Sequence, residues 1–481
     1  MGVITGKEFI ERIDWLNTNI WLNGTKIEGK KSEHPAFKGI LASKASLYDL
    51  QVHPDLSSRL TYLSPETKEI TGLSFLQPKT KEDISKRRAM MEIWARHTLG
   101  MMGRSPDYMN SIIMAFASSR NLLNGREHCF PQNIQALYER AVKNDLSFTH
   151  TFITPQVNRS QFNLRFSKEP ISARIVEKNE NGVIIKGARL LATQGGLTDE
   201  VLVYSSGGIV DEAEAFALSI PSNSEGLTFI CRESYVNGDS SFNYPLSSRF
   251  EEMDTILVFD NVFVPWERIF FYDNIEAAND FILKSSFHHF AYHQVITRQI
   301  VKTEFILGLA QALVETINID GYQHIQEKLS EIIIGLETMK ALLEKSEKEA
   351  QLDEWGTMRP SLIPLQVASN IFPKIYPRFI EIIQIIGASG LVTLPTEKDF
   401  ESDIRDVLDQ YLQGANKHAI NRVKLFRLAW DLTMSSFGTR QTQYERYFFG
   451  DPIRLSSILY KTFPKENYVN QVQNFLDLHP S

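Results

Sequence analysis

Along the first third of the chain, from Lys7 to about Asp145, apolar residues recur at spacings of three and four, as in DISKRRAMMEIWARHTLGMM and NIQALYERAVKN. That period predicts amphipathic helices, joined by Pro-, Ser- and Thr-rich connections such as SPETKEITGLSFLQPKTKED. From about Phe148 to Tyr272 the pattern changes to short runs rich in Val, Ile, Leu and Phe: ISARIVEK, GVIIKGARLLAT, EVLVYSS, LTFICRE and DTILVFDNVFVP. These read as strands, and Asn181-Gly182 between two apolar runs predicts a hairpin whose turn needs positive φ. Beyond Tyr272 the helical period returns in KTEFILGLAQALVETI, HIQEKLSEIIIGLETMKALLEKSEKEAQLDEW and ANKHAINRVKLFRLAWDLTMSS, which predicts an antiparallel bundle. The order helix, strand, helix does not alternate, so the fold class is α+β and a doubly wound parallel sheet is disfavoured. The expected domains are 1–145 helical, 146–275 β and 276–481 helical bundle.

With 481 residues, 43% of them hydrophobic, the chain can bury several cores. Lys and Arg number 51 against 58 Asp and Glu, a net charge of -7 without a long basic run, which argues against a nucleic-acid partner. Only Cys129 and Cys231 are present, too few for a disulfide framework, a cysteine-rich zinc module or an iron–sulfur cluster held by this chain's cysteines alone. The segment MGVITGKEFIERIDWLN mixes charges among its apolar residues, and no stretch of membrane-spanning length is uniformly apolar. A cytoplasmic protein without a membrane partner is expected.

Several short segments carry candidate chemistry. In Gly103-Arg104-Ser105-Pro106-Asp107-Tyr108, Ser105 suits an N-cap, Pro106 the first helical position and Asp107 the positive end of the dipole. Arg104 would lie just outside that helix and Tyr108 in its first turn, a guanidinium and a phenol able to bind an anionic oxygen or simply to pair at a surface. His150 sits where the helical block gives way to the β block, followed by Gln156, Asn158 and Arg159; a ligand cleft and a satisfied structural histidine are both open. Thr193 precedes Gly195-Gly196, which could let the backbone approach a ligand closely. Neither GxGxxG before a helix nor GxxxxGK[ST] occurs, so any nucleotide cofactor binds by another scheme. His289 and His293 are four apart on a predicted helix, but no HExxH carboxylate accompanies them and no metal is expected. Gln294 and Arg298, also four apart, could face a phosphate or form a surface pair.

Taken together, MGRSPDYMN, THTFITPQVNRS, GARLLAT, PLSSRFEEMDTILVFDNVFVPWERIF, HQVITRQIVKTEFILGLA and LFRLAWDLTMSSFGTRQTQYERYFFGDP, in this order, resemble the large component of the flavin-dependent 4-hydroxyphenylacetate 3-monooxygenase family. The likeness runs from TGKEFIERI to FFGDP, nearly the whole chain. It implies an acyl-CoA dehydrogenase-like fold, with an N-terminal helical domain, a central β-barrel domain and a C-terminal helical bundle, assembled as a homotetramer. It further implies FAD used as FADH2, supplied by a separate NAD(P)H-dependent flavin reductase, and reaction with O2 through a C4a-hydroperoxide to hydroxylate a phenol ortho to its hydroxyl, with 4-hydroxyphenylacetate giving 3,4-dihydroxyphenylacetate. By matching motifs, Arg104, Tyr108 and His150 fall at the substrate oxygen, with Ser205 and Ser206 on the substrate-side loop. His150, Thr151, Phe152, Gln156, Val157, Asn158, Arg159 and Thr193 fall at the flavin, and Arg298, Ser436, Gly438 and Arg440 toward the FAD phosphates or adenosine.

Gln194-Gly195-Gly196 stands where the resemblance leads one to expect a more apolar, Pro-containing turn, which suggests a reshaped substrate-facing loop. A monooxygenase of halo- or nitrophenols is the nearest alternative. The related 4-hydroxybutyryl-CoA dehydratases hold a cluster with three cysteines and a histidine, a set that Cys129 and Cys231 cannot complete. An acyl-CoA dehydrogenase would need a carboxylate base in its bundle, and a scaffold without flavin would have no reason to keep Arg104, Tyr108, His150 and Thr193.

Overall fold

Capping fixes where the N-terminal helices begin in the computed structural model, which describes residues 2–65, 68–155, 170–205 and 207–478. Helix α1 (Gly6–Trp15) starts with a capping box between Thr5 and Glu8 and buries Phe9 and Ile13. It packs on α2 (Lys38–Val52). Helix α3 (Lys81–His97) starts with a second capping box, Thr80 with Asp83. In α4 (Pro106–Ser118) every residue is buried, so this helix runs through the core and not along its surface. Helix α5 (Pro131–Asn144) ends at Asp145 in the left-handed conformation, φ 45°.

Ten strands of the described residues build two sheets. They are β1 (Asn19–Leu22), β2 (Thr25–Lys26), β3 (Phe148–Thr151), β4 (Arg174–Asn179), β5 (Gly182–Thr193), β6 (Glu200–Val203), β7 (Ala217–Pro221), β8 (Leu227–Cys231), β9 (Asp254–Pro265) and β10 (Ile269–Phe271). The six-stranded sheet has the order β2-β1-β8-β9-β5-β4 and the four-stranded sheet β10-β7-β6-β3. Two further two-stranded sheets pair Thr61–Leu63 with Ile70–Gly72 and Gln351–Leu352 with Met358–Arg359, and among the described residues no closed barrel forms, contrary to the expected central β-barrel. The N-terminal segment is not purely helical: β1 adds to the central sheet, parallel to β8 with Asn19 opposite Thr228. Four residues are too few for a period to betray that strand.

The β4–β5 hairpin forms as expected, with Asn179 opposite Gly182, but not through positive φ at Asn181 or Gly182. The Asn179 side-chain oxygen accepts from the amides of Asn181 (2.9 Å) and Gly182 (3.1 Å), an Asx turn that does the bending. Gly182 is needed for space, since a Cβ there would lie 2.2 Å from the Val264 carbonyl oxygen.

In the C-terminal part, α6 (Phe287–Thr316) is the axis, packed on α3 and α4 and on α7 (Gln323–Lys348) and α8 (Leu362–Gly387). Helices α9 (Ala419–Thr433), α10 (Ser436–Tyr447), α11 (Pro452–Thr462) and α12 (Glu466–Leu478) follow. No helix among the described residues is long and apolar enough to cross a membrane.

Helix α6 carries a buried polar stripe, including Gln294, Arg298, Gln299 and Lys302, which must find partners inside the protein. Gln294 donates to Asp107, and Glu445 of α10 serves the other three: it takes both Arg298 Nη atoms (2.6 and 3.0 Å), Gln299 Nε2 (3.0 Å) and Lys302 Nζ (2.8 Å). Burial disfavours the Glu445 anion, yet Arg298 and Lys302 hold its pKa well below the usual range. Replacing Glu445 with Gln leaves two buried cations without a counter-charge and is expected to cost about 3–5 kcal/mol in urea unfolding. A loss under about 1 kcal/mol would show that the cluster does not fasten α10 to α6.

Candidate active site

The register of β5 against β9 builds one wall of the site. Thr193 lies opposite Asp254, and the Gln194 amide donates to the Met253 carbonyl (2.6 Å). This places Glu252, just before β9, under the loop that leads into α4. Its carboxylate accepts the amides of Gly103 (2.8 Å) and Arg104 (2.7 Å) and Nε2 of Gln194 (3.0 Å). Gln194 also donates to the Arg104 carbonyl (3.2 Å) and accepts from the buried Lys44 ammonium (3.1 Å). Gln194 therefore braces the Arg104 loop from behind. The two glycines after it meet protein and not ligand: a Cβ on Gly195 would be 2.1 Å from Thr255 Oγ1, and one on Gly196 2.6 Å from Ile20.

Helix α4 starts at Pro106 as the sequence predicts, but Ser105 does not cap it with its side chain. Its hydroxyl donates to Asp107 (2.5 Å), a charged acceptor, and Gln294 Nε2 donates to the other Asp107 oxygen (2.9 Å). Held by its backbone, Arg104 projects its guanidinium between aromatic rings, 4.4 Å from the Tyr108 centroid, 4.5 Å from Phe448 and 5.7 Å from Tyr444. Nε and Nη1 are buried without a hydrogen-bond partner, and no carboxylate among the described residues pairs with them.

His150 comes from β3, which pairs in parallel with β6, His150 opposite Leu202. Its ring meets the edges of Tyr108 (5.6 Å) and Phe152 (5.1 Å), and Nδ1 shares a hydrogen bond with the Tyr204 hydroxyl. Nε2 is buried and without a hydrogen-bond partner among the described residues, as are Ser205 Oγ and Tyr444 Oη. Burial, with Arg104 adding to it, pushes the His150 pKa well below that of a free histidine, so the ring is neutral at physiological pH. Burial raises the pKa of Tyr108, against the pull of Arg104. The chain of contacts from Arg104 through Tyr108 to His150 thus offers one cation, one neutral imidazole nitrogen and aromatic walls, a set suited to an oxyanion on an aromatic ring.

The residues matched to flavin sort into two groups. Thr151 donates to the Leu190 carbonyl (2.8 Å) and Phe152 stacks on Tyr204 (5.7 Å), both beside His150. Thr193 donates to Asp254 (2.8 Å), which also takes Arg440 twice (2.8 and 2.7 Å) and Arg232 (3.1 Å). Burial opposes the Asp254 anion, but Arg440 and Arg232 outweigh it and hold its pKa well below the usual range. The second group is engaged elsewhere. Arg298 is committed to Glu445 and the Gly100 carbonyl (2.9 Å), Ser436 is exposed in the first turn of α10, and a Cβ on Gly438 would lie 2.3 Å from the Leu432 oxygen. Gln156, Val157, Asn158, Arg159 and Ser206 lie outside the described residues.

His289 and His293 share no ligand. His293 Nε2 meets Glu347 (2.8 Å) and His289 Nδ1 the Pro360 carbonyl (2.8 Å), and no group of three or more metal-ligating side chains occurs among the described residues. Sequence reasoning missed Glu252, Asp254, Tyr204, Tyr444 and Phe448. Only Tyr204, adjacent to Ser205, and the acid-rich FEEMD segment offered a local signal.

Glu252→Gln turns one of the two carboxylate oxygens into a donor, so that one of the Gly103 and Arg104 amides loses its acceptor. It is expected to cost about 2 kcal/mol in thermal unfolding. Unchanged stability would contradict the bracing of Arg104 by Glu252.

The family model described as the 4-hydroxyphenylacetate 3-hydroxylase N terminal matches residues 5–271, and that of the C terminal matches 278–477. The probable 4-hydroxyphenylacetate 3-monooxygenase of Bacillus subtilis (strain 168) is 65% identical, over 99% of each chain. The 4-hydroxyphenylacetate 3-monooxygenase oxygenase component of Geobacillus sp. (strain PA-9) is 44% identical, over 99% of this chain and 97% of its own. A crystal structure of the oxygenase component of 4-hydroxyphenylacetate 3-monooxygenase, complexed with FAD and 4-hydroxyphenylacetate, superposes with a TM-score of 0.94 at 42% identity, over 98% of both chains. An acyl-CoA dehydrogenase from Geobacillus kaustophilus, at 14% identity and a TM-score of 0.50 over 81% of this chain and 86% of its own, shares the fold alone. Matched along nearly its whole length by both models, this chain belongs to the 4-hydroxyphenylacetate 3-hydroxylase family.

Proposed function

We propose that the chain is the oxygenase component of a two-component aromatic hydroxylase that adds one atom of O2 ortho to the hydroxyl of 4-hydroxyphenylacetate, giving 3,4-dihydroxyphenylacetate. The observation that carries this reading is the buried Arg104 guanidinium with two nitrogens unpartnered, facing aromatic rings and near the unpartnered Nε2 of His150. A phenol is most electron-rich at its ortho carbon when its oxygen is negative. Arg104 supplies the charge that favours the phenolate, while Tyr108 and His150 supply hydrogen-bonding groups beside it. Phe448, Tyr444 and Phe152 keep water from the ring.

A flavin fits the polar atoms around this space. Arg440 Nη1 is buried without a hydrogen bond among the described residues, 3.6 Å from the Glu252 carboxylate, Thr193 ends β5 and Phe152 directly follows β3. These three residues would hold it, and FADH2, when bound, supplies the activated oxygen. The name "oxygenase component" carried by relatives supports a separate NAD(P)H-dependent flavin reductase as the partner.

A homotetramer is supported by α12. Not one of its residues is buried, and Tyr468, Val469, Val472 and Leu476 expose an apolar stripe that an isolated 13-residue helix could not maintain in water. Removal of residues 466–481 is expected to convert the tetramer to smaller species by light scattering; an unchanged particle mass would contradict that role.

Arg104→Ala tests the site itself. With a flavin reductase, NADH and FAD, kcat/KM for 3,4-dihydroxyphenylacetate formation is expected to fall at least about 100-fold. FAD affinity by titration should stay within about twofold, and equal loss of both would reject the role given to Arg104.

A further inference from the structure

Tyr204 has no assigned part in the site, although its hydroxyl is the hydrogen-bond partner of His150 Nδ1. It follows β6 directly and is fully buried, its ring stacked on Phe152 (5.7 Å) and set edge-on to Phe116 (5.6 Å) and Phe287 (6.3 Å). Among the described residues the titratable and charged groups around His150 are Arg104, Tyr108 and Tyr204. Burial raises the Tyr204 pKa well above that of free tyrosine, so tyrosine and histidine are both neutral.

Two neutral arrangements of this pair exist. If Nδ1–H donates to the tyrosine oxygen, the phenolic O–H has no acceptor among the described residues, and Nε2 is a bare lone pair with no donor. If the tyrosine O–H donates to Nδ1, only Nε2–H is left over. One orphan group against two, at about 1–3 kcal/mol for each buried unsatisfied group, decides for the second.

We propose that Tyr204 is a positioning residue: its hydroxyl donates to His150 Nδ1 and fixes the Nε2–H tautomer, so that His150 donates a hydrogen bond to the substrate phenolate and does not take the phenol's proton. The proposal rests on the phenol-binding reading given above. Its chemical consequence is that a neutral phenol entering the site leaves its proton in the solvent and binds as the anion beside Arg104.

The test uses the full-length protein without flavin and the chromophoric phenol 4-hydroxy-3-nitrophenylacetate, about one pH unit below the free probe's own pKa, in a weakly buffered indicator solution. The wild type is expected to develop the phenolate band and to release about 0.9 proton per phenolate bound, since most of the free probe is protonated there. In Tyr204→Phe, which keeps the ring packing, phenolate binding should weaken about tenfold. Affinity for phenylacetate, which lacks the hydroxyl and is measured by displacement of the probe, should be unchanged. A phenolate band without proton release would mean that His150 has taken the proton and would overturn the proposal. Equal probe affinity in both proteins, or a matched loss for both ligands, would overturn it as well. No phenolate band in the wild type would refute the phenol-binding reading itself, and the proposal with it.

Discussion

A guanidinium withdrawn from water, with no carboxylate paired to it among the described residues, is the constraint around which this protein is organised. Desolvating such a charge costs several kcal/mol, so the fold must hold Arg104 by something other than its own ion pair. It does so through the main chain, with Glu252 gripping the Gly103 and Arg104 amides and Gln194 gripping the Arg104 carbonyl. The carboxylate that could have neutralised the guanidinium is engaged with its backbone instead. The positive charge is thereby left open to the ligand proposed above, and aromatic faces make its dry surroundings tolerable.

The outer structure serves that arrangement. Tyr444 and Phe448 belong to the end of α10, and α10 is anchored to α6 through the Glu445 cluster. The β5–β9 register sets Thr193 against Asp254 and brings Glu252 two residues earlier to the Arg104 loop. β3 brings His150 alongside, and because that ring is neutral the proposed phenolate would meet the Arg104 charge and not a second cation at His150. A second cation would bind an anion more tightly but would also quench the electron density that ortho attack requires.

The helix–strand–helix order was legible because long elements repeat their period many times; Arg104, Tyr108 and His150 stood out one by one as candidates, were grouped only by the motif resemblance, and are set in contact by the structure. Their supports were not legible. Glu252 lies 148 residues from Arg104 and Glu445 lies 147 from Arg298, and nothing in a local pattern joins them. Arg298 shows the converse: at helical spacing from Gln294 it could have met a phosphate or formed a surface pair, and it is buried against a carboxylate that sequence spacing could not reveal. The hairpin at Asn181 was legible as a turn, while its cause, the Asn179 side chain, depended on hydrogen-bond competition that the Asn-Gly pattern only approximates. Gln194 was visible as an unusual residue, but its direction, toward Lys44 and Glu252, is a property of the packed sheet.

The measurement that bears most directly on the account is turnover of 4-hydroxyphenylacetate under ¹⁸O2, with a flavin reductase, NADH and FAD, followed by mass spectrometry of the product. The expected product is 3,4-dihydroxyphenylacetate carrying one ¹⁸O atom at the new hydroxyl. Unlabelled product, or consumption of O2 to peroxide with no dihydroxy product, would contradict it.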